Sequence, residues 1–219
     1  LALEQPLLGG KGYTRNTAAK LVQKYSVAED VARHLVYQMT GAIAHVHACG
    51  LVHNGIAPEN FVVAEDGLKL VDFSLSLVVA NTTNTANTAD PVTPVEPPGL
   101  LGIPDFMAPE ILLAQPLTPA SDLWSLGVTM YELLMGAEHS IFLSDCPRTL
   151  ARKILHEDIF ELTRLDGGFS DAAQSLIRRL VTRDPTERIG IRGIYTHVFL
   201  GGVVEQCAIN HISPTSIIA

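Results

Sequence analysis

The chain has 219 residues, of which 47% are hydrophobic and 17% are charged, and its formal net charge at pH 7 is −8. This length and apolar fraction support one hydrophobic core and exclude a disordered or fibrous chain. The acidic balance argues against nucleic acid or an anionic membrane as the main partner, because phosphate contacts need clustered Lys and Arg. No clean apolar run reaches about 20 residues, so no membrane span is predicted.

The three cysteines, Cys49, Cys146 and Cys207, lie far apart. They lack the paired spacing of a zinc site and the density of a disulfide scaffold. We expect them to be buried free thiols in a reducing compartment, which favours an intracellular location. Because the sequence opens on Leu1 without a basic and apolar leader, we expect it to be part of a longer chain whose targeting signal is not written here.

The first predicted element is an amphipathic helix that follows Ser26 and ends near Gly50. Ser26 and Glu29 form an S-x-x-E pair, in which the two side chains would bond each other's backbone amides at a helix start. Apolar residues then recur at helical spacing, namely Val31, Leu35, Met39, Ile43 and Val46. His45 and His47 lie two apart on this helix and face different directions, so a paired metal site is not expected there.

A small β-hairpin is predicted next. Two short apolar runs, 61–64 and 68–71, flank the turn signal Glu65-Asp66-Gly67. The segment before the hairpin, 53–60, and the segment after it, 72–74, would then be delivered to one site.

The second half of the chain is predicted to be helical. Residues 80–98 are rich in Asn, Thr, Ala and Pro, and we expect a mobile loop there because such a segment buries little apolar area. Thr118-Pro119 would begin a helix as an N-cap followed by Pro in the first turn. The run 123–135 is apolar nearly all round, which is typical of a helix buried on every side. Further helices are predicted at 170–181 and 191–197, so the fold class is mainly α.

Five short motifs occur in the order in which eukaryotic protein kinases carry them. They are HNGIAPEN at 53–60, DFS at 72–74, APE at 108–110, DLWSLG at 122–127 and DPTER at 184–188. Five motifs in order, with a hairpin and helices between them, are a strong signal. The chain therefore resembles the large, C-terminal lobe of the α+β kinase fold. Segment 102–110 is similar to the GTPxYxAPE of the cyclic-nucleotide-dependent serine/threonine kinases, which belong to the AGC group.

The resemblance implies one kinase-like domain at 1–219 that comprises the large lobe only. Residues 1–10 resemble the hinge region, and 72–110 would form a long activation segment that contains the low-complexity stretch 80–98. The sequence has no Gly-rich phosphate loop and no strand lysine paired with a helix glutamate. We therefore expect the small lobe to be absent from this chain, which would leave ATP with half of its pocket.

The catalytic loop departs from the family pattern HRDLKPEN at the residues that perform the chemistry. Gly55 occupies the slot of the Asp that accepts the substrate hydroxyl proton, and Ala57 that of the Lys that neutralises the transferred phosphoryl group. Ile103 stands where the family places a Thr that contacts both. Asn54 replaces the Arg that pairs with a phosphorylated Thr, whose position lies near Gly99. No catalytic residue is therefore expected to be intact.

Residues that bind metal and substrate in the family are kept. Asn60 and Asp72 match the two Mg²⁺ ligands. The alternative is that Asn60 only hydrogen-bonds the loop and Asp72 only caps local amides, so Mg²⁺ and ATP binding is expected to be weak or absent. Glu59 and Glu132 match acidic residues that bind Arg in substrates, which suggests a protein partner or basic peptide. Alternatively, both are ordinary surface carboxylates.

Five further residues match structural positions of the family. They are His53 and Phe73 as a stacked core pair, Glu110 and Arg188 as a buried ion pair, and Asp122 as the carboxylate that anchors the catalytic loop. The leading hypothesis is a pseudokinase that acts as a binding or regulatory scaffold. The second is an ATP-dependent serine/threonine protein kinase with an atypical catalytic loop, and the third is a decaying gene product without a selected role.

Overall fold

The computed structural model describes residues 17–18, 26–64, 67–79, 103–142, 144, 146–162 and 169–203. The predicted hinge region at 1–10, the low-complexity segment at 80–98, Gly99 and Cys207 lie outside these residues. Within the described ranges the fold is mostly helical, as predicted, and it contains two small sheets. None of the helices in these ranges has both the length and the apolar character that crossing a membrane requires.

The described residues form the following helices and strands, given in chain order. They are α1 (Glu29–Ala48), β1 (Leu51–Val52), β2 (Phe61–Ala64), β3 (Gly67–Leu70), β4 (Leu77–Val78), α2 (Pro109–Leu112), α3 (Pro119–Met135), α4 (Pro147–His156), α5 (Ile159–Leu162), α6 (Asp171–Leu180) and α7 (Ile191–Tyr195). Short 3₁₀ turns lie at Pro58–Asn60, Pro104–Phe106, Ala137–His139 and Val198–Leu200. Helix α3 packs against both α1 and α6.

Helix α1 begins close to the predicted place but is capped differently. Its N-cap residue is Ala28, and no side chain caps the helix. The predicted reciprocal pair of Ser26 and Glu29 is therefore wrong. The Glu29 carboxylate instead accepts hydrogen bonds from the backbone amide of Ser170, at 2.8 Å, and from the Ser170 hydroxyl, at 2.7 Å. A partner distant in sequence outcompetes the local cap and ties α1 to the start of α6.

The buried face of α1 is rotated relative to the predicted apolar stripe. Val31 is 44% exposed, so its predicted place in the core is wrong, and Leu35 is only partly buried. The apolar residues that enter the core from α1 are Ala32, Val36, Met39, Ala42, Ile43 and Val46. Small Ala side chains carry part of this face because they let neighbouring elements approach α1 closely.

Helix α3 is buried on every side, as its sequence predicts. Thr118 is its extended N-cap residue and Gly136, with φ of 90°, ends it. Every residue from 121 to 134 is buried. A Cβ atom on Gly127 would lie 2.7 Å from Leu180 Cβ and 2.9 Å from Val181 Cγ1, so glycine is required for the close approach of α6.

The predicted hairpin is present, and a second strand pair accompanies it. Strands β2 and β3 are antiparallel, with Phe61 opposite Leu70. Strands β1 and β4 are also antiparallel, with Leu51 opposite Val78, and this pair was not predicted. Each of these strands has two residues, which is too short for an alternating pattern to show. Their pairing joins the chain before the catalytic loop to the chain after the DFS motif.

Cys49 and Cys146 are exposed free thiols, so the prediction that they are buried is wrong. Cys49 follows the last turn of α1 and Cys146 precedes the first turn of α4. Both cysteines lie at helix ends that face solvent, so their apolar character did not predict their exposure. The pKa of the Cys146 thiol is lowered, first by the backbone amide of Thr149.

Candidate functional site

The catalytic loop is held in place by a single buried carboxylate. Asp122, in the first turn of α3, is 1% exposed. One oxygen accepts from the backbone amide of Asn54 at 2.8 Å, and the other accepts from the amide of His53 at 2.9 Å. The second oxygen also lies 2.8 Å from His47 Nε2. Because two of these three donors are main-chain groups, these anchoring bonds do not depend on the side chains of His53 and Asn54.

Gly55 and Ala57 lie in the interior of this loop and carry no chemical group. Both residues are buried. The Asn60 side-chain amide donates to the Gly55 carbonyl at 2.7 Å, and the Asn60 backbone amide donates to the Ala57 carbonyl at 3.0 Å. A Cβ atom on Gly55 would lie 3.4 Å from His53 Nδ1 and 3.5 Å from Asn60 Nδ2, which are ordinary contacts. The loop backbone therefore accommodates a side chain at position 55.

The DFS motif packs against the catalytic loop. The rings of His53 and Phe73 meet at a centroid distance of 4.7 Å and an interplanar angle of 66°. The two rings are in contact as expected, but they meet edge to face and are not stacked. Asp72 is exposed, has φ of 65°, and accepts from the Ser74 amide at 3.3 Å. The Ser76 hydroxyl donates to the His53 carbonyl at 3.1 Å.

Asn60 and Asp72 flank the two strands of the hairpin at its base. The Val71 amide donates to the Asn60 carbonyl at 2.9 Å, which brings the two segments together. A carboxamide oxygen and a carboxylate oxygen are the donors that a hard cation such as Mg²⁺ prefers. In the part of the chain that the structure describes, no three His, Cys, Asp or Glu side chains cluster as metal ligands. The role of Asn60 and Asp72 as metal ligands stays a prediction.

A small cleft without charged side chains lies beside the catalytic loop. Its lining residues are Asn54, Gly55, Ile56, Ile103, Phe106, Met107, Ile111 and Ser125. Ile103 also packs against the hydrophobic core. The Ser125 hydroxyl donates to the Phe106 carbonyl at 2.7 Å, so the nearest hydroxyl is already engaged. The cleft provides no charge to stabilise a transferred phosphoryl group.

Glu110 and Arg188 form a buried, bidentate ion pair. Arg188 Nη1 lies 2.7 Å from Glu110 Oε1, and Nη2 lies 3.0 Å from Oε2. The Ser121 hydroxyl donates to the same Glu110 carboxylate at 2.9 Å, and Arg188 also donates to the carbonyls of Ala120 and Thr182. These bonds satisfy the polar atoms that burial deprives of water. They join α2 and α3 to the loop after α6.

Three carboxylates form an acidic surface beside the loop. Glu132 is buried, and burial raises its pKa from 4.5 to about 7, while the Ser140 hydroxyl lowers it and the charges of Glu59 and Asp105 raise it further. Glu59 is exposed on the 3₁₀ turn that follows Ala57. The charge of Glu59 thus acts on Glu132, and the substrate-binding role of these two acids stays a prediction.

Sequence reasoning missed the third member of this acidic surface, Asp105. Its pKa is raised by burial and lowered by Lys153. Asp105 falls on a variable position of the GTPxYxAPE pattern, so the motif carried no signal for it. Only the fold shows that the charge of Asp105 acts on Glu132.

Comparison with known proteins decides the family. The family model described as "Protein kinase domain" matches residues 11–200. The chain belongs to the protein kinase family. The matched region contains the whole catalytic loop, the DFS motif and both partners of the buried ion pair.

Serine/threonine kinases are among the relatives of this kinase domain. Human calcium/calmodulin-dependent protein kinase type 1B is 32% identical over 187 residues, which are 84% of this chain and 50% of that protein. An Arabidopsis thaliana 3-phosphoinositide-dependent protein kinase 1 is 29% identical over 190 residues, 84% of this chain and 37% of that protein. A Drosophila melanogaster death-associated protein kinase related protein is 33% identical over 178 residues, 80% of this chain and 24% of that protein. The chain spans half the length of these relatives or less.

Removing the charge of Glu110 should destabilise the domain strongly. Glu110→Gln leaves Arg188 buried without its counter-charge, and we expect a loss of roughly 3–5 kcal/mol in the free energy of unfolding. Arg152→Ala is the control, because the Arg152 side chain is 61% exposed in its pair with Glu157. This surface pair should contribute at most about 1 kcal/mol. Urea unfolding followed by circular dichroism measures the free energy of unfolding of both variants. Equal losses of stability would contradict the conclusion that the buried pair of Glu110 and Arg188 stabilises the domain.

Glu132 should make stability depend on pH. Its pKa is raised from 4.5 to about 7, so the folded state holds this proton more tightly than the unfolded chain. The stabilisation is complete below pH 4.5 and is lost as the pH rises through 7, with a slope of up to about 1.4 kcal/mol per pH unit. Glu132→Gln cannot ionise and should remove this decline in urea melts at pH 5 to 8. The exposed Glu138→Gln is the control, and a decline that survives in Glu132→Gln would refute the assignment.

Proposed function

We propose that this protein kinase domain does not transfer phosphate and acts as a binding or regulatory scaffold for a protein partner. The observation that carries the proposal is a catalytic loop that is anchored by Asp122 while position 55 bears only hydrogen. A loop that had lost its function through misfolding would also lose this anchor. Here the frame is kept, while the family's proton acceptor and phosphate-directing lysine are replaced by Gly55 and Ala57.

The size of the expected defect follows from the two missing groups. Loss of a general base at Gly55 typically costs about 10²- to 10⁴-fold in rate. Loss of an electrostatic donor, as at Ala57, costs a further factor of about 10²–10³. Kinases turn over at about 1–100 s⁻¹, so both losses together leave a rate too slow to support signalling. Ile103 removes the hydroxyl that would have linked the two positions.

Nucleotide binding is a separate question from transfer. Protein kinases use ATP with Mg²⁺, and Asn60 and Asp72 would hold the metal, which shields phosphate charge when bound. The Asn60 carboxamide is oriented for this role by its bond to the Gly55 carbonyl. With Ala57 in place of the phosphate-directing lysine, we propose that Mg²⁺ and ATP bind weakly or not at all.

We place the domain nearest the cyclic-nucleotide-dependent kinases of the AGC group. This finer assignment rests on segment 102–110 and its likeness to GTPxYxAPE. The calcium/calmodulin-dependent relative is 32% identical to the chain, and the phosphoinositide-dependent relative is 29% identical. These two values are similar. Overall identity therefore does not choose between kinase groups.

We propose that the partner is an intracellular protein that offers a basic segment to the acidic surface. Glu132 is buried, and the negative charges of Glu59 and Asp105 both act on its carboxylate. An arginine guanidinium would relieve this repulsion and bind more than one carboxylate at once. Such a partner needs Glu132 in its ionised form.

The alternative function is an active serine/threonine kinase in which another group replaces the missing base. The retention of Asn60 and Asp72, which flank the hairpin at its base, favours it. A domain selected only as a scaffold has no need of both metal ligands. Measurement of phosphoryl transfer separates the two possibilities.

Restoring the family residues should restore transfer. We expect Gly55→Asp, Ala57→Lys, Ile103→Thr and Asn54→Arg together, in a chain fused to the small lobe of a calcium/calmodulin-dependent relative, to phosphorylate a basic peptide. The native fusion should be at least about 10²-fold slower, the low end for a missing base. The aspartate fits because a Cβ at position 55 makes only ordinary contacts. Adding Asp72→Ala to the restored chain should abolish its activity.

Two results would contradict this account of a disarmed site. If the native fusion transfers phosphate as fast as the restored one, the domain is an active kinase. If the restored fusion folds and stays silent, the site has lost more than the four replaced side chains.

An arginine-containing peptide should bind more tightly at pH 8 than at pH 6. Glu132 has a pKa of about 7, so it becomes ionised over this interval. One titrating carboxylate changes affinity by up to about tenfold over two pH units. Isothermal titration calorimetry measures the effect. Glu132→Gln should lose both affinity and pH dependence, whereas Glu138→Gln should keep both, and pH-independent binding by the native chain would exclude Glu132 from the surface.

A further inference from the structure

A histidine and a cysteine meet at the C-terminal end of α1, outside the site described above. His45 lies in the last turn of α1, and Cys49 is its C-cap residue. Residues four apart lie on the same face of a helix, so the two side chains are neighbours. His45 Nε2 lies 3.9 Å from Cys49 Sγ, and both residues are exposed. The other histidine of this turn, His47, is engaged by Asp122.

The separation of these two atoms fits joint coordination of one metal ion. In a tetrahedral zinc site, Zn–N is about 2.0–2.1 Å and Zn–S is about 2.3 Å, so the nitrogen and sulfur ligands are about 3.6 Å apart. The observed 3.9 Å exceeds this value by a few tenths of an ångström, which a small change of side-chain torsion provides. An imidazole nitrogen and a thiolate sulfur are ligands that suit Zn²⁺.

The surroundings of this pair favour a cation. The carbonyl groups at the C-terminal end of a helix carry partial negative charge, which attracts a metal ion near the last turn. The last two turns of α1, residues 41–48, contain no Lys or Arg that would repel it. The backbone is fixed, because the Cys49 amide donates to the His45 carbonyl at 3.1 Å and the neighbouring Ile43 and Val46 are buried. Metal binding therefore requires little ordering of the chain.

We propose that His45 and Cys49 form a two-ligand site for Zn²⁺ at the C-terminal end of α1. The imidazole binds through the Nε2 lone pair, and the thiol releases its proton to solvent as the Zn–S bond forms. Water completes the coordination sphere, because both residues are exposed. Two protein ligands supply about half the binding free energy of a four-ligand structural site, so we expect a dissociation constant on the order of 10 µM. This site is independent of the proposed function.

Metal titration of the 219-residue chain tests this site. Co²⁺ is added as a spectroscopic substitute for Zn²⁺, in a reductant that does not bind metal. We expect a sulfur-to-cobalt charge-transfer absorption that saturates at one Co²⁺ per chain and disappears when excess Zn²⁺ is added. Cys49→Ser should abolish this absorption, whereas Cys146→Ser, at another exposed thiol, should keep it. His45→Gln should weaken binding at least about tenfold because one of two ligands is lost, whereas the exposed His34→Gln on the same helix should not.

Alkylation of the native chain provides a second measurement that needs no substitution. Zn²⁺ should slow the reaction of Cys49 with iodoacetamide and leave that of Cys146 unchanged, as measured by mass spectrometry of the digested chain. The proposal is overturned if Zn²⁺ does not protect Cys49, or if it protects both cysteines equally. It is equally overturned if the charge-transfer absorption survives Cys49→Ser, or if His45→Gln binds Co²⁺ as tightly as the native chain does.

Discussion

The Asp122 carboxylate fixes the catalytic loop by binding main-chain amides, and the rest of the site depends on that fact. The amides of His53 and Asn54 belong to the backbone, so they remain whatever residues follow them. A loop anchored in this way can lose its catalytic side chains without losing its path. The Asp122 anchor therefore does not depend on which side chains stand at positions 55 and 57.

The frame and the chemistry of this kinase domain are carried by different kinds of interaction. The frame depends on buried groups with several partners each, of which Glu110 with Arg188 is the clearest. Removing one such partner strands a charge in the core. The catalytic groups of the family are side chains, and here the cleft beside the loop is lined by Gly55 and Ile103 without a charged residue. The frame therefore does not require the catalytic side chains, which is consistent with the proposed scaffold function.

Strong local patterns predicted most of this fold, and contacts between distant residues account for the rest. The buried helix that begins after Thr118 and the β2–β3 hairpin follow from apolar patterns and turn residues, and the structure confirms both. The cap at Glu29 was wrong because Ser170, far along the chain, provides better donors. Asp105 was missed because its importance comes from its proximity to Glu132 in space. The family motifs located the site, but only the fold showed its electrostatics.

Phosphoryl transfer by the full-length protein tests the central claim most directly. The protein is incubated with radiolabelled ATP, Mg²⁺ and an arginine-containing peptide, and incorporated phosphate is counted beside an Asp72→Ala variant. If the domain has no proton acceptor at position 55, the native protein and the variant should incorporate the same background amount of phosphate. Phosphate incorporation by the native protein that disappears in Asp72→Ala would show that the site is catalytic and that another group performs the work of the missing aspartate.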